Sequence, residues 1–300
     1  MNTNQVLQNP TSNLSLAYFW VTLSYILALA LGFGVGYFYR ESHIIVMLAM
    51  ADIAATVVIF IFSYIFKNSS FYDPYWSVIP IFIAGAFIYL AVSEADLVRQ
   101  IVVFLLVTAW GLRLTFNWWR GWTGLHHEDW RYVDLARQTG KAYWLVSFSG
   151  IHMFPTVMVF LGCIPLWSSL ALNTTPFGIL DALAALVTAT AIFIEGTADN
   201  QLRKFRLSNT EKGKYLDKGL WAYSRHPNYF GEIMFWWGLF FFALAQSLDN
   251  WWMGAGALAI TLMFVFISLP MIDKRMLERR NNYQEKMRRV STLIPWFPKR

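Results

Sequence analysis

Residues 43–66 read HIIVMLAMADIAATVVIFIFSYIF, an apolar run in which Asp52 is the single acidic residue and no Lys or Arg occurs. A helix needs about 20 such residues to cross the hydrocarbon core of a bilayer. A barrel strand would instead alternate apolar and polar residues over about ten positions. Lipid offers the backbone no hydrogen bonds, so a spanning segment must satisfy its own polar groups. The stretch therefore predicts a transmembrane α-helix.

Runs of the same kind recur along the whole chain. Hydrophobic residues make up 57% of the sequence and charged residues 14%, against about 25% charged in a soluble domain. The apolar runs lie near 14–38, 43–66, 76–93, 101–118, 144–169, 175–194, 229–247 and 251–270. We predict an all-α polytopic transmembrane bundle of about eight spans (seven or eight), with residues 1–300 forming a single membrane domain.

The basic residues are concentrated in three long polar segments. Residues 119–143, 196–227 and 271–300 hold 20 of the 24 Lys and Arg residues. Two predicted spans separate each segment from the next, so all three share one face, which the positive-inside rule makes cytoplasmic. The net charge of +6 then indicates topology and contact with membrane lipid, not nucleic acid. The membrane could be that of the endoplasmic reticulum, an organelle or a bacterial inner membrane.

The N-terminal sequence favours a retained anchor over a cleaved signal peptide. Residues 1–13 carry no charge, so the basic region that opens a signal peptide is missing. The run at 14–38 is expected to stay in the membrane.

The Cys and His content argues against a metal centre. Cys163 is the single cysteine, which excludes an internal disulfide and a cysteine-based metal site. The five histidines do not form the clustered boxes of di-iron membrane oxygenases, and only His126 and His127 are adjacent. We predict no metal site. A channel is disfavoured because the polar groups gather toward one face and do not line a path across the bilayer.

Two polar stripes enter the predicted spans, and each has two interpretations. Arg113, Asn117 and Arg120 share one helical face, either because the arginines snorkel to the interface or because they form a site. The second stripe follows the sixth span, and its members either pair along the helix or form a charged wall for an anionic ligand. It consists of Glu195, Asp199, Arg203 and Arg206.

The segment 219–238, GLWAYSRHPNYFGEIMFWWG, carries the strongest signal. Pro227 suits the first position of a helix, and the helix opening with Arg225 and His226 favours anions. Asn228 and Glu232 are one turn apart and offer the donors and acceptors that a carboxamide such as nicotinamide needs. The alternative is a structural role for Glu232 with a buried partner.

These residues resemble a known superfamily. SRHPNYFGE (224–232) resembles the signature of steroid 5-alpha-reductase-like membrane proteins, especially their bacterial-type branch, and sterol reductases are similar. WGLRL (110–114), HEDWRY (127–132) and RRVSTLIPWFP (288–298) also fit that branch. The resemblance covers roughly residues 100–300, the family-like cofactor-binding core, and leaves residues 1–40 as an extra N-terminal span.

The resemblance implies an NADPH-dependent oxidoreductase that reduces a carbon–carbon double bond in a lipid or steroid-like enone, and so a role in lipid metabolism. Carried over by position, the cofactor-binding residues would be Asn228, Glu232, Asp199, Arg203, Arg206, Tyr215, Arg225, His226, Tyr229, Arg275, Arg279, Tyr283 and Arg289. The family polarises the ketone with a Glu and a Tyr, and here the matching catalytic positions are nearest to Asp73 and Asn117. This departure leaves loss of activity open.

Two other functions remain open at this point. Isoprenylcysteine and phospholipid methyltransferases share the RHP-x-Tyr-x-Gly portion, so an S-adenosylmethionine-dependent methyltransferase is one. The other is a non-catalytic membrane subunit that packs against membrane protein partners, which predicts copurification in a large assembly and no effect of Glu232→Gln.

Overall fold

The computed structural model describes residues 14–172, 174–209, 211 and 213–299. The uncharged stretch 1–13, which suggested a retained anchor, lies outside these residues. Throughout the described chain the regular structure is helical, apart from one isolated parallel bridge between Ser224 and Ser291. The predicted all-α class is confirmed.

Twelve α-helices are found in the described residues. They are α1 (Leu14–Phe38), α2 (Ile44–Phe66), α3 (Tyr75–Tyr89), α4 (Leu97–Trp119), α5 (Trp130–Thr139), α6 (Tyr143–Val146), α7 (Phe154–Leu166), α8 (Ile179–Ser208), α9 (Pro227–Gln246), α10 (Ala255–Met263), α11 (Leu269–Arg279) and α12 (Tyr283–Arg289). Segments of π-helix at Ser147–Met153, Trp167–Leu172 and Phe264–Ser268 extend α6, α7 and α10.

Among the described residues, seven helical stretches are long and apolar enough to cross a membrane. They are Leu14–Phe38, Ile44–Phe66, Ser69–Tyr89, Leu97–Trp119, Trp130–Leu172, Ile179–Ser208 and Leu248–Arg279. These helices support a multi-pass membrane protein with the predicted seven or eight spans. The predicted seventh span, α9, is not among the seven. It carries Asn228 and Glu232 and has eleven buried residues, and a helix enclosed by protein need not be as apolar as one that faces lipid.

The chain folds into two compact units, residues 1–80 with 114–160, and residues 81–113 with 161–300. In the first unit, buried polar side chains of the helices pair with one another. Tyr75 donates to Asp52 at 2.7 Å, and the Ser63 hydroxyl lies 2.9 Å from His152 Nε2. Such pairs satisfy polar groups that lipid would leave unbonded.

The second unit is built around the close packing of α8 against α9. A Cβ atom added to Gly231 would lie 2.6 Å from the Glu195 Cβ, and one added to Gly238 would lie 2.2 Å from the Thr188 hydroxyl. Small residues let helix backbones approach in this way. The motif glycine Gly231 therefore fixes the distance between the two helices that carry most of the candidate site.

Candidate functional site at the start of α9

The start of α9 is held by the C-terminal segment of the chain. Pro227 is the first residue of the helix, as predicted, and His226 precedes it in a non-helical conformation. The Arg225 N–H donates to the Ser291 carbonyl at 2.8 Å, and the Ser224 hydroxyl donates to the Leu293 carbonyl at 2.7 Å. These bonds attach residues near 291–293 directly beside the helix opening.

Asp273 on α11 links the groups around this opening. Its carboxylate lies 2.9 Å from Arg225, and its other oxygen lies 2.9 Å from His226 Nε2. Tyr283 donates to the same carboxylate at 3.2 Å. Burial raises the pKa of Tyr283, and the adjacent Asp273 charge raises it further. Tyr283 is therefore a neutral hydrogen-bond donor, and part of the Arg225 charge is offset by Asp273.

A cavity of about 160 Å³ opens beside these residues. Its lining is aromatic and cationic, and no carboxylate lies among the described residues that line it. The polar and aromatic members are Phe205, Arg206, Tyr215, Trp221, Arg225, His226, Asn228, Tyr229, Arg280, Tyr283 and Lys286. A second, more open groove of about 490 Å³ shares Phe205 and Leu216 with it.

Lys286 brings a buried ammonium group to this cavity. The side chain is 5% exposed, donates to the Leu216 carbonyl and lies over the rings of Tyr215 and Trp221 at 5.2 and 5.9 Å. The pKa of Lys286 is lowered to about 8, chiefly by burial and also by nearby Arg225, while Asp217 and Asp273 act in the opposite direction. An anion in the cavity would favour the protonated form of Lys286.

Arg280 adds a donor that no described residue accepts. One of its terminal nitrogens donates to the Lys214 carbonyl at 2.8 Å, whereas its Nε is buried and has no hydrogen-bond partner among the described residues. Buried polar groups are ordinarily satisfied. An orphaned guanidinium N–H at a cationic cavity fits an anionic ligand.

Asn228 connects the cavity to a buried cluster of charges. Its amide donates to Asp199 Oδ1 at 3.2 Å, and Asp199 Oδ2 accepts from Arg113 at 2.9 Å. The same guanidinium lies 2.6 Å from Glu195 Oε1. Arg113 therefore does not snorkel to the interface; it pairs with two carboxylates of α8.

Glu232 lies in this cluster and does not line the cavity. It is 2% exposed, and its two oxygens accept from the indole N–H groups of Trp110 at 2.9 Å and Trp236 at 2.8 Å. Trp110 stacks on Phe235 at 4.3 Å between ring centroids. The buried partners that a structural role for Glu232 requires are thus present.

The predicted cofactor-binding residues fall into two groups. Seven of them line the cavity: Arg206, Tyr215, Arg225, His226, Asn228, Tyr229 and Tyr283. Asp199 and Glu232 belong to the buried cluster. Arg203, Arg279 and Arg289 are exposed, Arg275 is half-buried, and none of these four lines the cavity.

The two predicted catalytic residues belong to the first unit. Asp73 is half-buried and accepts a hydrogen bond from Tyr132 at 2.6 Å. The Asn117 side-chain oxygen accepts from Arg120 Nε at 3.0 Å. In each case the oxygen has a protein partner.

Several residues of the site were missed by the sequence analysis. Asp273 and Lys286 sit in a basic stretch that was interpreted as a topological signal, and Arg280 sits beside the arginine chosen by resemblance. The signal that could have identified Lys286 is its spacing, because it follows Tyr283 by three residues and so shares its helical face. Within the described residues, no group of three or more His, Cys, Asp or Glu side chains is arranged to hold a metal ion.

Comparison with known proteins gives a family without a described activity. An uncharacterized protein of Schizosaccharomyces pombe, C594.04c, is 27% identical over 216 residues, and the match spans 63% of this chain and 63% of that protein. No solved structure matches the chain. The family model described as "Protein of unknown function (DUF1295)" matches residues 59–290. The chain belongs to the DUF1295 family.

Proposed function

We propose that the protein is a membrane-embedded, NADPH-dependent reductase of a carbon–carbon double bond in a lipid or steroid-like enone. The observation that carries this proposal is the positive charge of the side chains that line the cavity at the start of α9. Arg206, Arg280 and Lys286 line it together with aromatic rings, and no carboxylate lies among its described lining residues. Such a lining suits a ligand with several phosphate groups.

The positive charge of the cavity lining also favours NADPH over S-adenosylmethionine as the ligand. S-adenosylmethionine carries a sulfonium and an ammonium group and has no phosphate, so a cationic lining repels two of its charged groups. NADPH carries phosphates that guanidinium and ammonium groups attract. The charge of the cavity therefore favours reduction over methyl transfer.

The residues present also fit the dinucleotide in number and type. Tyr215, Trp221 and Tyr229 offer faces for stacking, and Asn228 offers an amide for a carboxamide. The volume of about 160 Å³ is below the range of most ligand pockets, so the cavity would take the nicotinamide end and phosphates, and the adjoining groove would take the adenosine portion. When bound, NADPH would supply a hydride to the double bond.

The protein's own part in the reaction is binding and orientation. Arg206, Arg280 and Lys286 would hold the phosphates, and Asn228, itself fixed by Asp199, would orient the reactive ring. Polarisation of the ketone by Asp73 and Asn117 stays a prediction. Cofactor chemistry and substrate class thus rest on the cavity and on the resemblance to steroid 5-alpha-reductase-like proteins.

Titration of the detergent-solubilised protein with NADPH and with S-adenosylmethionine tests the proposal. We expect NADPH to bind, and Asn228→Ala to weaken binding about tenfold or more, equivalent to about 1.4 kcal/mol. Asn200→Ala, a change at an exposed position of α8 outside the cavity lining, serves as the control and should bind like the wild type. Preferential binding of S-adenosylmethionine would replace the reductase with the methyltransferase.

A further inference from the structure

The buried cluster beneath the cavity has more acidic groups than basic ones. It contains the carboxyl groups of Glu195, Asp199 and Glu232 and the guanidinium of Arg113. Glu195 is 3% and Glu232 is 2% exposed. If Glu195 and Glu232 were both ionised, their charge would exceed that of Arg113, and a buried charge without a partner is strongly unfavourable.

The hydrogen bonds show which carboxyl group is unsatisfied. Both oxygens of Glu232 accept from indole N–H groups, an arrangement that stabilises the ionised form. Asp199 accepts from Arg113 and from Asn228. Glu195 Oε1 faces Arg113, whereas Glu195 Oε2 is buried and has no hydrogen-bond partner among the described residues. Gly231, the residue before Glu232 on α9, packs against Glu195, which brings Glu195 and Glu232 to the same part of the α8–α9 contact.

We propose that this cluster is a proton-binding site in which Glu195 Oε2 carries one proton that it shares with the carboxylate of Glu232. A proton at this atom turns an orphaned acceptor into a donor that faces a neighbouring carboxylate. It also removes an excess negative charge from the cluster. Two buried carboxyl groups at one helix contact do not both ionise readily, so they hold one proton between them.

The site is connected to the cavity through three contacts. Asn228 lines the cavity and donates to Asp199, Asp199 pairs with Arg113, and Arg113 pairs with Glu195. The charged groups that face Glu195 are thus Arg113 on α4, Asp199 on its own helix and Glu232 on α9. A positive charge placed beside Asn228 would stabilise the ionised form of Glu195 and release its proton.

This linkage gives the site a role that rests on the proposed function. Reduction of one carbon–carbon double bond by NADPH consumes one hydride and one proton and leaves NADP⁺. The dihydronicotinamide ring of NADPH is neutral, and the nicotinamide ring of NADP⁺ is positive. Binding of NADP⁺ would therefore release up to one proton from Glu195, whereas NADPH binding would leave it in place.

Infrared difference spectroscopy tests the proton site without any cofactor. We expect the C=O stretching band of a protonated, buried carboxylic acid in the wild type, with a downward shift on exchange into D₂O. Glu195→Gln weakens this band, and Glu232→Gln also weakens it because Glu195 then ionises beside Arg113. Glu41→Gln, a change at an exposed position, keeps the full band as the control. A band of wild-type intensity in both Glu195→Gln and Glu232→Gln overturns the proposal.

Two further measurements complete the test. Thermal unfolding of the wild type with and without Na⁺ asks whether a cation, not a proton, neutralises the cluster; a Na⁺-dependent midpoint together with a missing band overturns the proposal. Calorimetry of NADP⁺ and NADPH binding in buffers of different ionisation enthalpy measures proton release, which we expect for NADP⁺ alone and not in Glu195→Gln. Release that persists in Glu195→Gln overturns the linkage, whereas failure of both nucleotides to bind overturns the reductase and leaves the infrared result intact.

Discussion

The two polar regions at the start of α9 have opposite electrostatic characters although one helical turn separates them. The cavity around Asn228 is cationic, and Lys286 and Arg280 contribute to it without a carboxylate in its described lining. The cluster around Glu232 is acidic, and the guanidinium of Arg113 faces three carboxyl groups. One short motif, SRHPNYFGE, contributes to both.

The difference shows that the position of a side chain along α9 decides which groups can offset its charge. The cavity lies at the helix opening, where an anionic ligand could accept hydrogen bonds from backbone N–H groups and offset the charge of the cationic side chains. The cluster lies one turn deeper, where only neighbouring side chains or a proton can offset a charge. A ligand site and a proton site can therefore be built from adjacent turns of the same helix.

The largest expected effect comes from removing the Arg113 guanidinium. Arg113→Met removes the cation that pairs with Glu195 and Asp199, and we expect a loss of about 3–5 kcal/mol of unfolding free energy. Denaturation in detergent followed by circular dichroism measures it. Arg40→Met, which removes an exposed pair with Glu41, is the control and should change little. Wild-type stability of Arg113→Met would show that the cluster is not held by charge.

The next effect tests the contact that brings the cavity and the cluster together. Gly231→Ala places a Cβ 2.6 Å from the Glu195 Cβ and 2.8 Å from the Ala191 carbonyl, and overpacking of this kind costs about 1–3 kcal/mol. The same denaturation assay applies. Gly34→Ala meets nothing within 4 Å and should be neutral or slightly stabilising, because Ala is the better helix former. Equal stability of the two variants would contradict close α8–α9 packing.

A third prediction concerns pH and the cavity alone. Lys286 has a pKa of about 8, so it is mostly protonated below pH 8 and loses its charge above it. NADPH affinity should therefore fall as the pH rises through 8, by at most about tenfold per pH unit. Calorimetric titration at several pH values measures the slope.

Two variants isolate Lys286 from other titrating groups. Lys286→Arg stays charged at every pH used and should flatten the profile, whereas Lys286→Met should bind weakly throughout. The same steep profile in Lys286→Arg as in the wild type would assign the pH dependence to another residue.

The smallest expected effect tests whether the lining of the cavity or the family resemblance better identifies the residues that bind the cofactor. Arg203 and Arg206 were both predicted to bind the cofactor, but only Arg206 lines the cavity. Arg203→Gln should change NADPH affinity by less than roughly twofold, or about 0.4 kcal/mol, while Arg206→Gln should weaken it more. Titration of the two variants side by side decides the point, and the reverse order would move the phosphate site outward along α8.

Much of the candidate site could be predicted from the sequence. Its division into a cationic cavity and a buried acidic cluster could not. The motif at 224–232 and the preceding stripe on α8 identified residues that the structure brings to one unit. Sequence placed Asn228 and Glu232 together because they are one turn apart. It could not show that Trp110 and Trp236 occupy both oxygens of Glu232, since indole partners from other helices and turns leave no local pattern.

The sequence by itself determined the helical, multi-pass character of the protein. The length and composition of each apolar run are local properties, and they decide whether a helix is stable in a bilayer. It also determined where α9 begins, because Pro227 acts on its own turn. Only the tertiary structure decided that Arg113 faces α8 and that Asp273 links Arg225 to His226. It also decided that the side chains of the cavity are cationic and those of the cluster mainly acidic. Those facts depend on distances between helices far apart in the chain, which packing sets and no local pattern encodes.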